Sequence, residues 1–104
     1  MRKLSKPFYA DYVNRMLRFY CRKVHGQDFK VEGHIEINNC LCVIKVLETL
    51  PEDDKNAIIN IYERGDTLAD NIYWVSKEMN VNQDMLWTLV SNVTKRIAKE
   101  RGLI

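Results

Sequence analysis

The stretch from Lys77 to Trp87, KEMNVNQDMLW, constrains the fold more than any other part of the chain. It lies between two runs with apolar residues at three- and four-residue steps. Leu68, Ile72, Val75 and Met79 form one stripe, and Leu86, Leu89, Val90, Val93 and Ile97 form the next. Each run is an amphipathic helix, so the Asn80-Val81-Asn82 between them must be a turn. Asn is the residue after glycine that best tolerates the left-handed conformation that ends helices, which assigns Asn80 to the end of the first run. Asn82 is then a good N-cap, its side chain free to accept a backbone N–H two or three residues on. Val81 before the cap and Leu86 four residues after it have the spacing of a hydrophobic staple. Asp84 sits in the first turn, where the helix dipole favours an acid. The break is therefore a tight corner between two helices.

The remaining punctuation extends this pattern to the whole chain. With 104 residues, 46% of them hydrophobic, there is material for one modest core. Four glycines and two prolines favour long helices over strands and turns. PFYADYVNRMLRFYCRKVHG, residues 7–26, predicts a first helix with Pro7 in its first turn and Gly26 as its stop. Its stripe is Tyr9, Val13, Met16, Leu17, Tyr20 and Val24. HIEINNCLCVIKVLETL predicts a second helix, apolar through Ile37, Leu41, Ile44 and Leu47 and buried on more than one side. Its composition also suits a strand, but the run is long and holds no turn signal. PEDDKNAIINIYERG predicts a third helix, with Pro51 and three acids at its start, Ile58, Ile59, Ile61 and Tyr62 inward, and Gly65 ending it. Asp66 or Thr67 can cap the fourth helix, and Gly102 stops the fifth near Arg101. The expected fold is all-α with about five helices in one domain, 1–104. An N-terminal helical pair fills 1–50 and a three-helix helix-turn-helix unit fills 51–104.

Several functional classes receive no support. No apolar run is long enough to cross a membrane. The basic N-terminus lacks the apolar segment of a secretory signal. Three cysteines, Cys21, Cys40 and Cys42, suggest reduced thiols in a cytoplasmic protein. Cys40 and Cys42 are two apart on a helix, point in different directions and are not expected to share a metal. There is no phosphate loop, paired-carboxylate motif or nucleophile signature, so no enzyme, cofactor or metal is expected.

Charge is uneven although its net value is only +2. Residues 1–30 hold eight Lys/Arg and two acids, residues 31–81 four and ten, and residues 82–104 four and two. Basic ends around an acidic middle suit either a polyanionic partner or attraction within the chain. A helix-turn-helix binds DNA when its second helix buries one face and offers polar, cationic groups on the other. Thr88, Ser91, Asn92, Lys95 and Lys99 cluster opposite the apolar stripe, with Arg96 at the margin. Together with Gln83 these are the candidate DNA contacts. Arg15, Arg18 and Arg22 recur with helical spacing and are candidate phosphate contacts, or partners for the acidic middle. Trp74 and Trp87 lie off their stripes' centres. Packing against the N-terminal helices is expected of them, whereas exposure in an apolar patch would mark partner anchors.

LPEDDKNAIINIYERGDTLADNIYWVSKEMNVNQDMLWTLVSNVTKRIAK resembles region 4 of sigma-70-type factors. Leu50, Pro51, Glu52 and Asp53 match the family's opening, and Ile61, Tyr62 and Gly65 the end of its first helix. Val75 and Ser76, then Met79 and Asn80, match the next helix and turn. Val81 and Asn82 open the recognition helix, and Lys95, Arg96 and Ile97 fall on its Lys-Arg-Leu ending. The resemblance covers about half the chain and extends to small region-4-like proteins of phages and mobile elements. It implies a transcriptional regulator that binds double-stranded DNA, with RNA polymerase contact as a further expectation. Between Gly65 and Ser76 this chain is about one helical turn longer than the family. Leu89 and Trp87 replace commonly basic and polar positions. Nothing resembles the polymerase-binding region 2, so a complete sigma factor is not expected. The alternative is a helical protein-interaction module on the same fold, without sequence-specific DNA binding.

Overall fold

The computed structural model describes residues 7–25 and 30–104. It is all-helical among these residues, with five helices: α1 (Ala10–Phe19), α2 (His34–Leu47), α3 (Glu52–Glu63), α4 (Leu68–Met79) and α5 (Gln83–Arg101). One core takes side chains from every helix. It includes Val13 and Leu17 of α1, Val43 and Leu47 of α2, Ile58 and Tyr62 of α3, Ile72 and Val75 of α4, and Val93 and Ile97 of α5. No helix among the described residues is long and apolar enough to cross a membrane.

The first predicted helix does not run as one regular α-helix. After Phe19 it widens into a π-helical turn, Tyr20–Val24, closed by the His25 N–H donating to Tyr20 O at 2.7 Å. A π turn adds one residue to the helical repeat and so rotates the residues beyond it about the helix axis. Here Cys21 is buried, and Arg22 reaches the far end of α3. Its Nε donates to Tyr62 O at 3.1 Å, and its guanidinium also donates to Arg64 O. The expected stop at Gly26 lies outside the described residues.

The second helix forms where expected but presents a different face. Cys40, Cys42, Val43, Val46 and Leu47 are buried. Of the expected apolar face only Leu47 is buried; Leu41 is 58% exposed, Ile37 42%, and Ile44 half-buried. The helix is apolar almost all round, so periodicity could not choose a side, and its neighbours cover only one.

The end of α3 is a further correction. Gly65 does not take a left-handed conformation; the positive-φ glycines among the described residues are Gly33 and Gly102. Arg64 turns extended instead, and the helix's last carbonyls are met by side chains from elsewhere. Arg22 is one. Buried Asn71 of α4 is the other, its Nδ2 donating to Ile61 O at 2.9 Å, Arg64 O at 3.1 Å and Asp66 O at 3.3 Å. Thr67 then caps α4, its Oγ1 accepting from Asp70 N at 3.2 Å.

Candidate nucleic-acid interface

The corner between α4 and α5 follows the sequence closely. Asn80 is left-handed, φ 55° and ψ 49°. Its N–H donates to Lys77 O, and the Val81 N–H reaches back to Ser76 O at 3.0 Å. This pair of reversed bonds is the Schellman pattern, which satisfies carbonyls that the helix end leaves open. Asn82 follows in extended conformation and accepts the Asp84 N–H on its Oδ1 at 2.7 Å. Val81 packs against the core that holds Leu86, as the staple requires. Three residues between the helices, Asn80, Val81 and Asn82, thus fix the direction of a 19-residue helix. At its other end Gly102 is left-handed, φ 84°, and Leu103 N–H donates to Ala98 O at 2.8 Å, the same cap again.

Leu86, Val90, Val93, Thr94, Ile97 and Ala98 form the buried side of α5. Leu89 is only half-buried, while Thr94 and Ala98 enter the core unforeseen. Both lie next to stripe residues in sequence, Thr94 beside Val93 and Ala98 beside Ile97, and threonine is a type more often found exposed. Thr94 is satisfied locally, its Oγ1 donating to Ser91 O at 3.1 Å. All seven candidate DNA contacts, Gln83, Thr88, Ser91, Asn92, Lys95, Arg96 and Lys99, are exposed. Thr88, Asn92, Lys95 and Lys99 fall in line on the side away from the core, spanning roughly three turns. Arg96 is directed elsewhere, donating to Thr49 Oγ1 just past α2. Arg101 Nε donates to Asn39 Oδ1 of α2 at 2.7 Å, and Glu100 pairs with Lys45 of α2. The C-terminal half of α5 is therefore braced against α2, with Lys95 and Lys99 left outward.

The N-terminal half of the same face has a different electrostatic setting. Thr88 and Asn92 line an open groove of roughly 850 Å³ between α5 and the start of α3. Met79, Val81, Met85 and Leu89 supply apolar surface in it, and Asp53, Asp54 and Asp84 supply carboxylates. Phosphate is repelled there and attracted one to two turns further along, at Lys95 and Lys99.

The three arginines that are candidates for phosphate or for pairing with the acidic middle have three different settings. Arg15 is exposed beside Tyr12, Phe19 and Glu36, in a pocket of roughly 290 Å³ between α1 and α2. Arg18 is half-buried close to Tyr62. Arg22 is engaged with the carbonyls ending α3. The Tyr62 hydroxyl donates to Asn14 Oδ1 at 2.7 Å, and burial pushes its ionisation well above the usual phenol range. Burial likewise pushes the Cys21 thiol up to about 12 and raises Cys40 and Cys42. All three cysteines are free and buried.

The tryptophans depart from the expected packing. Trp74 is 51% exposed and Trp87 38%, and neither belongs to the core. Tyr73 stands edge-on to Trp74 at 5.2 Å, and Lys77 lies over the Tyr73 ring at 5.3 Å. The chain matches no family model, no curated protein and no solved structure among known proteins.

Proposed function

We propose that the protein is a DNA-binding transcriptional regulator of the sigma-region-4-like helix-turn-helix type, of the kind associated with phages and mobile elements. The observation that carries this reading is the capped corner at Asn80–Asn82, which projects an α5 with Thr88, Asn92, Lys95 and Lys99 outward in line. In the major groove, short polar groups near the helix start meet base edges, and lysines further on meet backbone phosphate. Asp84 and the two α3 aspartates limit how deeply the N-terminal half approaches the backbone. Lys95 and Lys99 therefore carry most of the electrostatic attraction.

The experiment is a set of binding isotherms at several salt concentrations, on a site selected from a random DNA pool and on a scrambled duplex. Lys95→Ala or Lys99→Ala weakens binding to both and flattens the slope of log affinity against log salt by about one unit each. Asn92→Ala reduces affinity for the selected site alone, by roughly 1–3 kcal/mol. Absence of DNA binding at low salt refutes the reading.

A second reading has its own support. Trp74 and Met85 are 51% and 65% exposed, and the carboxylate-lined groove beside α5 suits a cationic, apolar protein segment better than a phosphate backbone. On that reading the fold is a protein-interaction module, with RNA polymerase or a regulator as its partner. Loss of partner binding on Met85→Glu, with Lys95→Ala silent, separates it from the first.

A further inference from the structure

The outward side of α2 carries a pattern that the core does not use. His34, Ile37, Leu41, Ile44 and Glu48 recur at alternating steps of three and four along this helix and its C-terminal edge. Ile37 and Leu41 are exposed, and Ile44 is half-buried without joining the core. Cys40, Val43 and Leu47 hold the opposite side inward. Solvent thus meets an apolar seam with an imidazole at its start and a carboxylate at its end.

We propose that this seam is where two copies of the protein associate, α2 against α2, antiparallel, about a two-fold axis near Leu41. Three features select a second copy as the occupant. Alternating three- and four-residue spacing lets side chains of two helices interlock along one line. A two-fold interface must be complementary to itself, and a stripe with an apolar middle and ends of opposite character meets that condition. Antiparallel packing lays each His34, a hydrogen-bond donor in either protonation state, beside the partner's Glu48, whereas parallel packing would oppose Glu48 to Glu48. Antiparallel macrodipoles add to the same preference. Nearby groups do not interfere: Lys45 on the flank pairs with Glu100 of its own chain, and Glu36 lies on the α1 side with Tyr12 and Arg15.

The strength is set by the size. Three apolar residues are fewer than the roughly 800 Å² per partner of a standard interface requires, so the dimer is a weak, reversible one. The dimer does not depend on DNA binding. If both hold, α5, braced on another flank of α2, is duplicated about a two-fold axis, and the preferred DNA is an inverted repeat.

Sedimentation equilibrium on the full chain, from micromolar to several hundred micromolar, tests this. The expected result is a reversible monomer–dimer equilibrium. Leu41→Glu weakens it by at least tenfold while leaving helical circular dichroism unchanged, because Leu41 lies outside the core. Glu48→Lys weakens it several-fold, and adding His34→Glu restores it, since the swapped charges meet again across the axis. Trp74→Ala leaves it unaltered. A monomer at every concentration overturns the proposal, as does a dimer that survives Leu41→Glu. Loss on Glu48→Lys without recovery in the double variant overturns the antiparallel arrangement.

Discussion

Replacing Asn71 by Leu or by Asp tests how α3 is ended. The side chain is 2% exposed, and its Nδ2 serves three carbonyls at 2.9, 3.1 and 3.3 Å. Leucine keeps the volume and removes the donors. Arg64 O still receives Arg22, so the loss falls mainly on Ile61 O and Asp66 O. Two hydrogen bonds of about 1 kcal/mol each, plus about 1–3 kcal/mol for a carbonyl left buried without a donor, sum to roughly 3–5 kcal/mol. Against this, Asn71 Oδ1 is buried with no hydrogen-bond partner, and leucine relieves that penalty, about 1–2 kcal/mol. The net expectation for Asn71→Leu is about 1–4 kcal/mol of destabilisation. Aspartate keeps the shape but turns an acceptor toward the three carbonyls, and it should be worse than leucine at neutral pH. Urea titration followed by circular dichroism reads this directly, as a midpoint lowered by about 1 M for leucine with an unchanged slope. A neutral Asn71→Leu, or an aspartate milder than leucine, refutes the assignment of this residue as the cap of α3.

The corner gives a paired expectation: Asn82→Ala destabilises by roughly 0.5–2 kcal/mol through its lost cap, whereas Asn80→Gly is neutral or stabilising at φ 55°. Denaturant titration showing the reverse order contradicts the corner's geometry. Thiol-reactive reagent at pH 8 should label Cys21, Cys40 and Cys42 slowly in the native protein and rapidly in urea, because all three are buried and their ionisation is raised; fast native labelling of Cys21 counts against its burial. Above pH 9 stability should fall: the unfolded Cys21 thiol releases a proton that the native one retains up to about 12, at up to about 1.4 kcal/mol per pH unit, with Tyr62 adding in the same direction. Cys21→Ala should reduce that slope, and a stability flat between pH 8 and 10.5 would show the thiol's ionisation to be unperturbed.

Short-range chemistry decides the elements that were legible in the sequence. Asn80, Val81 and Asn82 act within six residues of themselves, and both helix ends there are set by backbone preference and side-chain reach alone. Gly102 behaved the same way. Gly65 did not, because the α3 terminus is satisfied over sequence distances of 7–42 residues by Asn71 and Arg22, which no local pattern announces. The π turn was equally hidden. It rotates the chain after Phe19 so that Arg22 can reach those carbonyls, and a stripe drawn at regular helical steps cannot contain it. The rotation carries Arg22 off the line of Arg15 and Arg18, which precede the π turn and are set apart from each other by the half-burial of Arg18 near Tyr62.

The same limit governs the candidate interface. Exposure of Thr88, Asn92, Lys95 and Lys99 comes from an amphipathic period, which the sequence displays. The field they stand in does not, since Asp53 and Asp54 enter the groove from a helix about thirty residues upstream. In α2 the period itself was ambiguous. Two apolar lines run along it, one through Cys40, Val43 and Leu47 and one through Ile37, Leu41 and Ile44. Burial of the first reflects its neighbours, α1 and α5, which can cover only one side of the helix. A helix with a single covered side needs a single apolar line to fold. The second line at Ile37, Leu41 and Ile44 exceeds what this chain's own core uses, and a second copy of α2 gives it a partner.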